Sequence, residues 1–397
     1  MSTNPLLDTT GLPLFDQIKP EHVTPALDVL LADAEAALTK VTGENLPRIT
    51  EFYTRLGSDE RLYAKYKALN EAQKGLDPER RLSPARQRAL DLALRGFVLG
   101  GAELQGEAKA RFAAIQEEHA AKSQAFSEHV MDATDAYSCY VRADELAGVP
   151  EDVLHATRAA AESEGKEGHK LTLHMPCYLP VMQYASNRAL RETMYRAYAT
   201  RASEFGPEER DNSALMSDLL ALRQEEARLL GYANYAEVSL VPKMADSPDQ
   251  VMHFLRDLAQ RARPFAEKDM AELRDFARTE CDLPDLQAWD VAFVSEKLKE
   301  ARYAFSDQEV KQYFTEPTVL KGLFGLIEKL FDVQIQPDSA PVWHESVRFF
   351  RIERAGQLIG QFYLDPYARV GKRPGAWMDD VRGRWTRPDT QGTQTPV

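Results

Sequence analysis

The sequence predicts a mainly α-helical protein with a small β-sheet beginning near residue 333. Three observations carry that reading. Apolar residues recur at three- and four-residue spacing through most of the first 332 positions, which is the period of a helix with one buried face. Helix-start residues stand in front of several of these stretches. From Val333 onward the period changes to alternation and short apolar runs, the pattern of strands.

Taken in order, Thr24 is a candidate cap and Pro25 suits a first helical position. Leu27, Leu30, Leu31, Ala34, Leu38 and Val41 then form one face, and Gly43 ends it. Gly100-Gly101 lies in a helical context and reads as a turn or a close packing point. Two short strands interrupt the helices, at Ala136 to Val141 and at Lys170 to Pro176, where aromatic and β-branched residues sit between turn formers. Ser247 and Pro248 open another helix, with a stripe through Val251, Phe254, Leu255, Leu258, Ala262 and Phe265 that extends past Leu273 and Phe276. Ser306 and Glu309 have capping-box spacing. Pro317 to Phe331 gathers Leu320, Leu323, Phe324, Ile327 and Leu330 on one side. Val333 to Ile335, Ser346 to Glu353 and Gln357 to Asp365 are strand-sized, with Arg354-Ala355-Gly356 as a hairpin turn. Three regions follow: 1–150 and 151–332, both helical, and 333–397, where the sheet starts. Beyond Trp385 the chain is polar and rich in turn formers, either a frayed tail or a loop cut short.

Composition excludes several function classes. The chain has 397 residues, 44% hydrophobic, enough to bury a sizeable core in each of two or three domains. Its 49 basic and 62 acidic residues give a formal charge of -13, which disfavours nucleic acid and anionic membrane surfaces as partners. Three cysteines without CxxC spacing fit a reducing compartment. No signal-peptide pattern opens the chain, and no run of about 18 apolar residues suggests a membrane span. The expected location is the cytoplasm.

A helical zinc site needs two histidines one turn apart with a glutamate beside the first. The eight histidines include no pair at that spacing. His169 and His174 come nearest, across a strand signal that turns them to opposite faces. His344-Glu345 has Arg348 at the fifth position, a permanent cation that cannot ligate zinc, so His344 is expected to be a structural, buried or half-buried residue. There is no nucleophile elbow and no phosphate-cradling glycine loop. One segment keeps a functional expectation. From Gly360 to Trp377 a strand leads into a cationic, glycine-bearing loop, where Tyr363, Arg369, Lys372, Arg373 and Gly375 are candidate substrate-binding residues. The competing structural reading is an Asp365 pairing with Arg369 or Lys372 that holds the strand's exit.

Several motifs occur in one order: Leu229-Leu230-Gly231-Tyr232, Lys243-Met244-Ala245, Trp289 to Lys297, Val342-Trp343-His344, Phe362 to Asp365 and Ala376 to Asp380. Together they resemble the thimet oligopeptidase family of zinc metallopeptidases, from about residue 10 to the end. The resemblance implies a zincin-like body of two helical lobes around a channel, which admits short peptides and excludes folded proteins. It implies a cytosolic endopeptidase that cleaves internal peptide bonds with one zinc ion. In that family the HExxH helix lies a few dozen residues further on, so the resemblance also implies that this chain is incomplete, holds no metal ligand or catalytic residue, and is inactive alone. Phe293-Val294 stands where the family usually has two tyrosines. A truncated lobe would expose apolar surface and leave a sheet edge unpaired. The alternative is a noncatalytic helical module that binds peptides or a protein partner.

Overall fold

The computed structural model describes Leu6 and residues 46–304, 307–369, 372, 375–386 and 392–397. The helix expected after Thr24, the Ser306 end of the capping box and Arg373 lie outside the described residues. In chain order the helices begin with α1 (Leu46–Gly57), α2 (Glu60–Lys74), α3 (Pro84–Leu99) and α4 (Gly106–Asp135). There follow β1 (Cys139–Val141), α5 (Glu151–Glu162), β2 (His169–Leu171), α6 (Met175–Tyr184), α7 (Arg188–Ala199), α8 (Ser213–Leu229) and α9 (Tyr235–Leu240). The last third holds α10 (Pro248–Glu280), α11 (Val291–Tyr303), α12 (Asp307–Lys311), α13 (Glu316–Phe331), then β3 (Gln334–Asp338), β4 (Arg348–Arg354), β5 (Gln357–Leu364), β6 (Trp385–Thr386) and β7 (Thr393–Gln394). The fold is therefore mainly helical, with small antiparallel sheets.

Two compact units share these elements. Of the described residues, one contains Leu6, Met131–Arg201 and those from Lys268 to Val397; the other contains 46–130 with Ala202–Glu267. In the second unit Asp59 caps α2 by accepting from the backbone N–H groups of Arg61 and Leu62 at 2.9 and 3.0 Å, satisfying donors that the helix itself leaves orphaned. The Gly100-Gly101 pair is both a turn and a packing point. Gly100 ends α3, and a side chain there would meet the Gly57 carbonyl oxygen at 2.8 Å; Gly101 has φ +81°. Ser247 caps α10 by accepting from Gln250 N at 3.1 Å, with Pro248 in the first turn. The apolar stripe that follows is not buried along its length: Phe254, Leu255, Leu258 and Phe265 are exposed.

In the first unit the strands expected at 136–141 and 170–176 form only in part, as β1 and β2, which pair antiparallel with Cys139 opposite Leu171 and Val141 opposite His169; Met175 and Pro176 instead open α6, where a proline suits the first helical turn. They cover a core of Leu146, Leu171, Leu173, Val181, Met182 and Met194. Leu273 and Ala277 at the far end of α10 pack with Leu283 and Val294. The predicted sheet also forms. β3, β4 and β5 lie side by side and antiparallel, and Ala355-Gly356 closes the β4–β5 hairpin with both residues at positive φ, 50° and 75°. That is the twist a two-residue hairpin loop requires. α13 lays Phe324 edge-on against Phe350 and Phe362, at 5.1 and 6.0 Å between ring centres. Only part of its predicted face is covered, because Leu323 and Leu330 stay exposed. The outer edge of β5 is met by the polar end of the chain: Gln361 N donates to the Pro396 carbonyl at 3.0 Å, and Val397 N donates to Arg382 O at 3.0 Å.

Candidate functional site

Two arrangements in the first unit concentrate charge and aromatic surface. The first lies where β5 leaves the sheet. Tyr363, near the end of β5, has its ring between Trp343 and Phe349, with centres 5.1 and 4.5 Å away, and burial pushes its hydroxyl pKa up. Asp365 follows and gathers three donors. Arg369 grips it with two 2.7 Å bonds, one to each carboxylate oxygen, and the Trp343 indole N–H donates at 3.1 Å. Lys372 is 3.1 Å from the same carboxylate and donates to the carbonyls of Asp365 and Tyr367 at 2.6 and 2.9 Å. The Arg369 hydrogen bonds hold the Asp365 carboxyl far below the usual carboxylate range. Two residues after Asp365, the Tyr367 hydroxyl donates to Glu316 at 2.7 Å, and Arg348 also pairs with Glu316.

Arg369 and Lys372 therefore spend their charges inside the loop, as the structural reading of Asp365 predicted. Gly375 has φ +93° and is exposed. The site is the exit from a sheet, made of aromatic surface and an ionised aspartate whose charge Arg369 and Lys372 compensate.

The second arrangement is a buried ionic cluster, and spacing alone did not reveal it. Asp290 is fully buried at the start of α11. Arg188 reaches it with Nε at 3.1 and 3.0 Å and with a terminal nitrogen at 2.7 Å, Arg191 donates at 2.8 Å, and Gln287 N donates at 3.1 Å. Burial by itself would raise the pKa of Asp290, but the two guanidiniums outweigh it and the net shift is downward. Arg191 is 1% exposed, donates to Ala185 O at 2.7 Å and lies over the Phe293 ring at 4.2 Å. Val294, beside it, belongs to the apolar cluster with Leu273 and Ala277. Phenylalanine and valine thus suit these two places: one supplies a ring face to a cation, the other a dry wall. Tyr184 donates to the buried Glu296 at 2.9 Å, and Lys299 pairs with its other oxygen at 2.8 Å. The signal available in the sequence was the pair Arg188 and Arg191, three apart on α7 and so on one face.

Three of the described histidines make structural contacts. Buried His169 lies 3.0 Å from the Thr157 hydroxyl, and His174 pairs with Asp135 at 3.1 Å. His344 is exposed, against the expectation of burial, and its Nδ1 accepts from Ser346 N at 3.2 Å. Among the described residues no three His, Cys, Asp or Glu side chains form a group able to hold a metal ion. Among the same residues no helix is long and apolar enough to cross a membrane.

Residues 181–397, which hold both arrangements, match the model of peptidase family M3. The chain belongs to that family. Along its whole length it is similar to Oligopeptidase A of Salmonella typhimurium, at 41% identity, and to Oligopeptidase A of Haemophilus influenzae, at 40%; it covers 65% and 64% of those proteins. It is also 35% identical to Probable cytosolic oligopeptidase A of Arabidopsis thaliana, over 97% of this chain and 62% of that one. The chain thus spans a little under two thirds of the length of the curated relatives it matches. The motifs around Trp289, Trp343, Phe362 and Trp377 that carried the resemblance all fall within the matched residues.

Proposed function

We propose that this M3-family chain is the amino-terminal part of a cytosolic zinc endopeptidase that hydrolyses internal bonds of short peptides, and that alone it is inactive. The observation that carries the proposal is the match to Oligopeptidase A along all of this chain but only 65% of the relative. Metal-assisted hydrolysis needs three protein ligands, an open coordination position for water and a base beside it. The described residues do not fit a zinc ion, and the whole sequence has no histidine pair one turn apart. In this reading the ligands and the base come from polypeptide beyond the 397 residues, and the region from Val333 is the beginning of the catalytic part.

In the same proposal the segment from Gly360 to Gly375 borders the peptide. Tyr363 offers aromatic surface, and Arg373 and Gly375 offer a cation and an open backbone. Arg369 and Lys372 act one step back, by fixing Asp365 and with it the direction in which the loop leaves β5.

The test is to purify the chain, measure zinc by elemental analysis and follow cleavage of a short quenched-fluorescence peptide. The expected result is neither bound zinc nor cleavage, with both appearing when the chain is extended to the length of its relatives. Stoichiometric zinc together with chelator-sensitive cleavage by the 397 residues alone overturns the proposal.

A further inference from the structure

The second unit contains a cavity of about 350 Å³ that the peptidase reading does not use. α1, the end of α3, α4 and α8 line it, and it opens to solvent. Its lining is mixed: Ile49 and Tyr53 from α1, Leu99 from α3 and the buried Phe112 from α4 supply apolar surface, and Thr50 and Thr54 from α1 add hydroxyls. At its polar side stand Gln116 and Glu226. The Gln116 amide nitrogen is buried and has no hydrogen-bond partner. Glu226 makes no ion pair among the described residues, in contrast with its neighbour Glu225, which Arg111 clamps with two 2.7 Å bonds. Burial raises the pKa of Glu226, against the weaker opposing pull of the Gln116 amide and the Arg223 charge.

These groups define a ligand by what each lacks. An orphan buried N–H is unfavourable until an acceptor meets it. A partly desolvated carboxylate with no cation in direct contact attracts one, and the aromatic rings beside it favour the same charge. An anion would be repelled by Glu226. A purely apolar molecule would leave both polar groups unsatisfied, and a lone carboxylate is too few ligands for a metal. The volume lies at the small end of ligand sites, with room for on the order of ten non-hydrogen atoms.

We propose that this cavity binds a small apolar primary amine bearing a hydrogen-bond acceptor next to the ammonium, with Glu226 taking the cation, Gln116 donating to the acceptor, and Ile49, Leu99 and Phe112 packing against the apolar body. Free amino-acid amides and the amino termini of peptides share this chemistry.

Titration calorimetry on the full chain tests it with L-leucinamide as probe. Saturable binding is expected, at least tenfold weaker for N-acetyl-leucinamide, which lacks the charge, and for isoamylamine, which lacks the acceptor. Glu226→Gln should weaken leucinamide by about tenfold, the effect of losing one charged partner. Gln116→Leu should bring leucinamide down to the level of isoamylamine. Thr50→Leu, which fills the cavity from α1, should abolish binding with the helical circular dichroism unchanged, and it serves if the Glu226 variant does not fold. A tetrapeptide with amino-terminal leucine separates the sources: equal binding assigns the site to peptide termini, much weaker binding to free amines. Absence of saturable binding at millimolar leucinamide, or equal binding of the acetylated control, overturns the proposal.

Discussion

Asp290 is fully buried yet remains an anion, because Arg188 and Arg191 each donate to it and the Gln287 amide adds a third source. Removing the carboxylate leaves Arg191, itself 1% exposed, as an unpaired buried cation. Asp290→Ala should therefore destabilise the first unit by about 3–5 kcal/mol, read as a lowered urea midpoint, and Arg188→Ala by clearly less, since Arg188 is partly in solvent. Equal effects of the two would show that the buried member is not the critical one. A pH effect belongs to Asp59. Its side-chain hydrogen bond from Arg61, and then the backbone N–H of Leu62, lower its pKa from 3.8 to about 2. An acid with a depressed folded pKa stabilises the fold above its unfolded value, and that contribution disappears as pH falls through the folded one. Asp59→Ala should cost about 1 kcal/mol at neutral pH, with the gap to wild type closing as pH approaches about 2. A gap that persists in acid would point to something other than the cap charge.

Glycine has opposite meanings in two helices. At the end of α3, a methyl group on Gly100 would press on the Gly57 carbonyl oxygen at 2.8 Å, backbone against backbone, with no flexible atom to yield. Inside α13, a methyl group on Gly322 would meet nothing within 4 Å. Gly100→Ala should thus destabilise, by about 1–3 kcal/mol as an overpacked contact, whereas Gly322→Ala should stabilise by roughly 0.5–1 kcal/mol through helix propensity. Thermal melts of the two variants check both signs, and a stabilising Gly100→Ala would refute the close approach of α1 and α3. The β4–β5 hairpin follows the same logic: Gly356 at φ +75° pairs with Ala355 at φ +50°, so the turn tolerates one side chain in left-handed space and uses glycine for the other.

At the scale of the whole molecule, the net charge of -13 is spread over a surface that also shows apolar side chains. Phe254, Leu255, Leu258 and Phe265 lie exposed along α10, and Leu323, Leu326, Leu330 and Phe331 along α13. Clusters of this kind mark surfaces for another polypeptide or a tendency to associate. Leu258→Lys and Leu330→Lys should change stability by no more than about 0.5 kcal/mol, as exposed positions do, while reducing concentration-dependent association in sedimentation velocity. Loss of folding in either variant would mean that the face is covered.

Local order was legible in the sequence itself. The helical period, the Ser247-Pro248 start, the presence of short strands near 139 and 170, the change to a sheet after Phe331 and the hairpin at Ala355-Gly356 are written in spacing and turn chemistry, which depend on neighbours a few residues apart; the pairing of the two short strands and the helix that begins at Met175 are not. The family, too, was legible, in motifs kept in order from Leu229 to Asp380, and so was the Asp365 clamp, whose partners lie four and seven residues away. What only tertiary structure decided involves partners about a hundred residues apart: Asp290 with Arg188 and Arg191, Glu296 with Tyr184, and the cavity that joins Glu226 to Gln116 and Ile49. Burial was equally out of reach, since the stripe of α10 has the same period whether a partner covers it or not. Period reports which residues share a face; only the folded chain determines what, if anything, that face meets.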